Sequence, residues 1–297
     1  RRRALARPDE IAIRFTEAGA PAVSESWTWA AYWQHASRVA AGLAARGIGP
    51  GDRVLVLAPD VRAAVAAHFG AWAAGVTPTH VGLPYRLGVP AAFIAQLHGT
   101  AERLHSRALL VSSTVAPFVP VGAAPRAIQA ISIDHLLAAD GAADLPDPDS
   151  LAPPDLLQLT SGSTGQPRAV RVPQARLIAH LEAIAARLPA EPGDSGVTWL
   201  PLHHDMGLIG GLLYPFFTDF PVHLLSPLCF QTQPMSWLTA LSEARATHTA
   251  GPPSAFAVLL RLARRAADAG LRLDRLRCAM IGAEPIAAAL LHGFAEA

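Results

Sequence analysis

Few charged residues and no long apolar run set the first limits on this chain. Charged residues make up 16% of its 297 residues, and the formal net charge is +1. The sequence has no long basic run, which argues against a nucleic-acid binder, because such proteins need a concentrated positive face to neutralise phosphates. The longest apolar runs, such as residues 207–217, are shorter than the ~18 residues that a membrane span requires. We therefore expect neither nucleic acid as a partner nor a membrane span.

Cysteine is also scarce, and its placement excludes a cysteine-based metal site. The chain has two cysteines, Cys229 and Cys278, which lie far apart in the sequence. This usage predicts reduced thiols in the core of a cytoplasmic protein. The basic start, residues 1–3, has no apolar segment behind it, which argues against a secretory signal. The chain begins without methionine and ends in an uncapped helical pattern at 286–297, so we expect a piece of a longer protein.

The composition that is present predicts a large globular α/β core. Hydrophobic residues make up 51% of the chain, and a prior of ~150 residues per domain allows two lobes. Apolar periodicity and helix breakers predict helices and strands that alternate, which favours a sheet covered by helices on both faces. The predicted helices cover 29–45, 61–74, 91–104 and 174–188, and the predicted strands cover 53–58, 108–112, 156–159 and 169–172. A connector rich in proline and aspartate at 146–155 predicts one lobe over 1–145 and a second over 156–297.

The stretch TSGSTGQPR, residues 160–168, concentrates hydroxyl groups, glycines and one arginine. Such a loop offers N–H groups, O–H groups and positive charge that can converge on a phosphate. An ordinary polar turn has a similar composition and stays an alternative. The predicted order is strand, loop, strand, helix, whereas a Walker A loop runs directly into a helix. The loop therefore differs from a Walker A phosphate site.

Two further motifs follow in the second lobe. The segment WLPLHHDMGLIGG, residues 199–211, contains two adjacent histidines that could be read as metal ligands. We disfavour that reading, because adjacent histidines on an extended segment point to opposite sides and no third ligand lies at helical spacing. The segment CAMIGAEPI, residues 278–286, places small residues after an apolar strand. Ligands of α/β sheets often bind at this end of a strand, with a plain turn as the alternative.

Taken in order along the chain, these motifs resemble those of the adenylate-forming superfamily, and most closely fatty acyl-AMP ligases. The similar segments are TSGSTGQPR, WLPLHHDMGLIGG, THTAGPPSAFAVLLR and CAMIGAEPI, supported more loosely by GDRVLVLAPD in the first lobe. The resemblance implies the large N-terminal domain of the adenylate-forming fold: two α/β lobes with mostly parallel sheets flanked by helices, cut before the C-terminal lid domain.

The resemblance also implies roles for particular residues. It implies phosphate binding by the loop residues Thr160, Ser161, Gly162, Ser163, Thr164 and Gly165. It implies adenine-side contacts from Gly282, Ala283, Glu284 and Pro285. It implies an acyl tunnel lined by Asp205, Met206, Gly207, Ile209 and Gly210. His204 and Arg168 are the implied catalytic residues, His204 beside the acyl carboxylate and Arg168 at the phosphates. For Met206 and Ile209, packing in the core stays an alternative.

The implied reaction activates a fatty acid with ATP, assisted by Mg²⁺, to acyl-adenylate and pyrophosphate. The acyl group would then pass to the phosphopantetheine thiol of an acyl carrier protein. Two alternatives stay open: an acyl-CoA or aryl-CoA ligase, and an inactive adenylate-binding or interaction module if the gene product is this short. The chain departs from the pattern at Arg168-Ala169, where Lys-Gly is common. It also lacks the family's Tyr-Gly-x-[Thr/Ala]-Glu segment, its ribose-binding aspartate and its C-terminal lysine, so we expect the fragment alone to be inactive.

Overall fold

The structure is a computed structural model that describes residues 1–19, 23–83, 91–119, 128–139, 151–160 and 168–296. Within these ranges it is a mixed α/β structure with two mainly parallel sheets, a separate hairpin and flanking helices. No helix in the described ranges is long and apolar enough to cross a membrane. The predicted α/β class is confirmed.

The first sheet contains four parallel strands in the order β4-β3-β5-β6. Its strands are β3 (Arg53–Leu57), β4 (Thr77–His80), β5 (Ala108–Val111) and β6 (Gln129–Ser132). The strands β3 and β5 read as continuous apolar runs, as expected for a parallel sheet that is covered on both faces. Leu55, Leu57, Leu109 and Val111 form one apolar layer with Phe93.

The helices α3 (Val61–Ala73), α4 (Ala91–Arg103) and α5 (Ile133–Ala138) pack against this sheet, α2 (Trp29–Ala44) packs on α3 and α5, and α1 (Arg2–Ala6) packs on α2, with a 3-10 turn at Ala116–Phe118. Thr28 caps α2 by accepting a hydrogen bond from the Ala31 N–H at 3.2 Å. Helix α3 approaches α2 closely at Gly70, where a Cβ would lie 2.4 Å from the Cβ of Val39. The helices predicted at 29–45, 61–74 and 91–104 are confirmed.

A two-stranded antiparallel hairpin carries the ends of the predicted phosphate loop. Strand β7 (Leu156–Thr160) pairs with β8 (Arg168–Val172), and Thr160 lies opposite Arg168 in the register. Helix α6 (Gln174–Arg187) follows after Pro173. The predicted order of two strands followed by a helix is therefore confirmed, and residues 161–167 of the predicted loop lie outside the described residues.

The second sheet contains six strands in the order β12-β11-β9-β10-β1-β2. Its strands are β1 (Ile11–Glu17), β2 (Val23–Thr28), β9 (Gly196–Thr198), β10 (Val222–Leu225), β11 (His248–Gly251) and β12 (Cys278–Ile281). The pairs from β12 to β1 are parallel. The helices are a π-helix (Met206–Leu213), α7 (Tyr214–Thr218), α8 (Pro227–Thr232), α9 (Met235–Glu243), α10 (Pro253–Asp268) and α11 (Ala288–Glu296).

The core beside the second sheet is aromatic. Trp199 stacks on Phe230 with ring centroids 4.0 Å apart, and Trp237 packs edge-on against both rings. The Trp237 indole N–H donates to the Thr249 hydroxyl at 3.1 Å, so this buried polar group is satisfied. This core supports the carboxyl ends of β9 and β11, where the motifs of the second lobe begin.

Contacts divide the chain into two compact units at a place that differs from the sequence-based boundary. One unit contains Arg1–Glu10 and Thr28–His180, and the other contains Ile11–Trp27 and Leu181–Ala297. The difference has two causes. Strand β1 pairs with β10 and so belongs with the second sheet, and β7 packs beside β4 of the first. The predicted connector at 146–155 therefore lies inside the sequence range of the first unit.

Candidate functional site

The β7-β8 hairpin fixes both ends of the hydroxyl-rich loop. The Thr160 hydroxyl lies 3.4 Å from the backbone carbonyl oxygen of Arg168, to which it donates. Arg168 is exposed at the start of β8. The predicted phosphate contacts Ser161, Gly162, Ser163, Thr164 and Gly165 lie outside the described residues. Within the hairpin, Thr160 and Arg168 thus stand side by side at the two ends of that loop.

The two adjacent histidines lie in a turn between β9 and the π-helix. The His204 N–H donates to the carbonyl of Pro201 at 3.1 Å, and the His203 and His204 rings lie 4.5 Å apart. The expectation that they point to opposite sides is wrong, because the turn replaces the extended backbone that would alternate them. Burial and then the neighbouring His204 lower the pKa of His203 to about 4. His204 is exposed, which leaves it accessible to a ligand.

Asp205 starts the π-helix and is bound to it. Its Oδ1 accepts a hydrogen bond from the Met206 N–H at 2.7 Å. At the other end, the Tyr214 N–H donates to the Ile209 carbonyl, which is the i to i−5 pattern of a π-helix. Such helices are rare and frequently occur at functional sites. The carboxylate of Asp205 therefore has a structural partner in addition to its predicted place at the acyl site.

Glycines let the π-helix approach β9 closely. A Cβ at Gly207 would lie 2.3 Å from the backbone oxygen of Pro201, and one at Gly211 would lie 2.8 Å from Thr198 Cγ2. Neither position accepts a larger residue without movement of its neighbours. Gly210 differs, because the first atom that its Cβ would meet is the Met280 methyl group at 3.6 Å. Gly207 is thus required for packing, whereas Gly210 borders a flexible side chain.

The π-helix and the Gly-Ala-Glu-Pro turn lie next to each other. A Cβ at Gly282 would lie 3.9 Å from Met206 Sδ, and Met280 reaches Gly210 from the adjoining strand β12. The predicted acyl-tunnel residues Met206 and Gly210 therefore meet the start of the predicted adenine-side motif. Met206 also packs against the aromatic core, and Ile209 is half-buried. Met280 was not predicted, because nothing in the apolar sequence of β12 marks which residue borders the π-helix.

The Gly-Ala-Glu-Pro turn follows the carboxyl end of β12, as the sequence predicted. The Gly282 N–H donates to the Gly251 carbonyl at 3.3 Å, and Ala283 has a φ of 70°, in the left-handed region. The Glu284 carboxylate accepts the Ser254 N–H at 3.0 Å and the Ser254 hydroxyl at 2.9 Å. Pro285 is exposed. Ser254 was not predicted, because thirty residues separate it from Glu284.

The opposite end of the second sheet, where its strands begin, holds ion pairs and a cavity of about 650 Å³. The Arg277 guanidinium donates to both oxygens of Asp194 at 2.9 and 2.7 Å. Burial alone would raise the Asp194 pKa, but the Glu191 N–H and Arg277 more than offset it and lower the pKa. These residues lie at the amino ends of the strands, whereas the predicted acyl and adenine motifs follow the carboxyl ends. The cavity therefore belongs to a different part of the sheet.

The AMP-binding enzyme family matches residues 1–297. The chain belongs to this family. It is 30% identical over 99% of its length to the long-chain-fatty-acid–AMP ligase FadD32 of Mycolicibacterium smegmatis, of which it covers 48%. It is 36% identical over 46% of its length to the medium-chain-fatty-acid–[acyl-carrier-protein] ligase JamA of Moorena producens, of which it covers 23%.

A solved structure of an AMP-binding relative agrees with the fold. The fatty acyl-adenylate ligase from L. pneumophila, in complex with acyl adenylate and pyrophosphate, matches 99% of this chain. The TM-score is 0.79, the identity is 27%, and the match covers 50% of that chain. The chain thus spans about half the length of the relatives that it matches over its whole length.

Proposed function

We propose that this chain forms part of an ATP-dependent fatty acyl-AMP ligase. The observation that carries the proposal is the contact of the π-helix with the Gly-Ala-Glu-Pro turn at the carboxyl ends of β9 and β12. Met206, Met280 and the bare Gly210 offer a soft apolar wall for an alkyl chain, beside small residues that suit a flat base. The names of the relatives support the same chemistry.

The proposed reaction joins two anions, so positioning and charge screening matter more than a general base. A carboxylate oxygen of the fatty acid attacks the α-phosphorus of ATP. The new bond is C(O)O–Pα, and the bond between Pα and the bridging oxygen to Pβ breaks, with pyrophosphate leaving. We assign the phosphates to the loop 160–168 with Arg168 at its edge. His204, which is exposed before the π-helix, would face the carboxylate.

A magnesium ion would screen the phosphate charge in such a reaction. The described residues contain no group of three or more His, Cys, Asp or Glu that could hold a metal, and such an ion would be held mainly by the substrate phosphates and water. The roles proposed for Arg168 and His204 do not depend on the ion.

The cytoplasm is the proposed compartment, since Cys229 and Cys278 are both unpaired thiols.

The acyl carrier protein is the proposed acceptor, supported by the name of the relative JamA. The test uses the complete enzyme that carries this chain, with ATP and a series of fatty acids. Mass spectrometry should detect acyl-AMP, and the acyl group should then appear on a holo-acyl carrier protein but not on coenzyme A. Acyl-CoA as the main product would identify a CoA ligase instead. Absence of acyl-AMP with every acid would contradict the proposed activity.

A further inference from the structure

The start of helix α10 lacks a cap of its own. Pro252 precedes the helix and Pro253 begins it, the first turn has no acidic residue, and no side chain of the N-cap residue accepts a hydrogen bond. Pro253 has no N–H, and the N–H groups of Ala255 and Phe256 donate to the Pro252 carbonyl at 3.0 and 3.2 Å. The Ser254 N–H is therefore the remaining donor of this turn.

Glu284, thirty residues further along the chain, caps the start of α10. Its two carboxylate oxygens accept the N–H and the hydroxyl of Ser254 at 3.0 and 2.9 Å. A carboxylate at this position also interacts favourably with the helix dipole. Ser254 and Glu284 belong to the same unit. They are close because β11, which leads into α10, is paired in parallel with β12, which leads into the turn.

These bonds hold the Gly-Ala-Glu-Pro turn on both sides of its least favourable residue. Ala283 has a φ of 70°, which an alanine adopts only when its surroundings impose it. On one side, the Gly282 N–H is bound to the carbonyl of Gly251. On the other side, Glu284 is bound to Ser254. Gly282, the first of these anchors, is the residue of the turn that adjoins Met206.

We infer that Ser254 and Glu284 form a positioning pair, in which the start of α10 sets the shape of the Gly-Ala-Glu-Pro turn for the adenylate. Glu284 acts through Ser254 and does not itself contact the nucleotide. This inference rests on the proposed function, since it concerns the adenylate site of that reaction. It gives a role to the GPPS segment, residues 251–254, which is part of the THTAGPPSAFAVLLR resemblance.

The test compares Ser254→Ala, Glu284→Gln and the double variant in the complete enzyme that carries this chain. Each single variant should raise the KM for ATP, by about tenfold for Glu284→Gln, with little change in kcat. The double variant should be little worse than Glu284→Gln alone, because the hydroxyl contact that Ser254→Ala removes is one of the two that Glu284→Gln weakens. Ser254→Thr, which keeps the hydroxyl and the N–H, should restore the parent KM.

Ser242→Ala is the matched control. The Ser242 hydroxyl accepts the Arg272 N–H at 2.9 Å across a similar sequence separation, away from the turn. A general loss of folded enzyme lowers the apparent kcat and leaves KM unchanged, so the KM effect separates positioning from stability. Amide hydrogen exchange at residues 283 and 284 should become faster in the Ser254 and Glu284 variants and not in the control.

The outcomes separate this inference from the proposed function. A parent enzyme that forms acyl-AMP while Ser254→Ala and Glu284→Gln keep the parent KM overturns the inference alone. A KM effect in Glu284→Gln that is absent in Ser254→Ala means that the Ser254 hydroxyl does not position Glu284, which also overturns the inference. A parent that neither forms acyl-AMP nor binds a non-hydrolysable acyl-adenylate analogue overturns both.

Discussion

At the residue scale, Ala283 carries the clearest backbone strain of the predicted site. Its φ of 70° costs an alanine ~1–2 kcal/mol, which glycine would not incur. The greater conformational entropy of glycine in the unfolded chain offsets ~0.4–1 kcal/mol of the strain that the substitution relieves. Ala283→Gly should therefore raise the free energy of unfolding by ~0.5 kcal/mol in urea denaturation. Ala279→Gly, within strand β12, should lower the free energy of unfolding. An equal decrease in both variants would show that Ala283 is not strained.

Two glycines of the π-helix should respond differently to the same substitution. A Cβ at Gly207 would overlap the Pro201 carbonyl oxygen, which belongs to the backbone and cannot move aside. Gly207→Ala should lower the free energy of unfolding by ~2–3 kcal/mol. At Gly210 the nearest atom is the end of the Met280 side chain, so Gly210→Ala should change stability by less than ~1 kcal/mol. Denaturation of both variants with the same probe tests this contrast, and similar losses would refute it.

At the element scale, the wall between the π-helix and β12 should set the length of the preferred fatty acid. Each methylene that enters the apolar site should contribute up to ~0.8 kcal/mol until the site is full. Gly210→Trp would place a large ring in the space between Gly210 and the Met280 methyl group. The variant should prefer shorter acids than the parent when kcat/KM is measured across a chain-length series. Identical rankings would remove Gly210 from the wall.

Local patterns predicted the individual elements well, and non-local pairing was beyond them. Helix α3 follows from its alanine-rich apolar repeat and the breaker at Gly75, and strand β5 from a short apolar run. The insertion of β1 between β10 and β2 depends on contacts some two hundred residues away, which no local pattern encodes. The bond between Glu284 and Ser254 escaped prediction for the same reason, as did the turn that brings the two histidine rings together.

At the scale of the whole molecule, two partly buried histidines should make stability depend on pH. Burial lowers the pKa of His203 and of His223 to about 4 from an ordinary 6.5. Both therefore favour the neutral form in the folded state. Their contribution is complete above pH ~6.5 and is lost as the pH falls towards 4. The free energy of unfolding should decrease over this window, and His223→Gln should reduce the decrease by ~1–2 kcal/mol. An unchanged pH profile in the variant would contradict this account.

The central claim, that this chain belongs to an enzyme that activates fatty acids, is tested most directly by isotope exchange. The measurement is the fatty-acid-dependent exchange of labelled pyrophosphate into ATP by the complete enzyme that carries this chain. Arg168→Ala should lower the exchange by an amount equivalent to ~1.5–3 kcal/mol, because it removes a charge-assisted phosphate contact. Arg171→Ala is the control, since Arg171 lies on the same strand and pairs with Asp155. We predict exchange that requires a fatty acid, is reduced in Arg168→Ala and is preserved in Arg171→Ala. Exchange that no fatty acid stimulates would contradict the account.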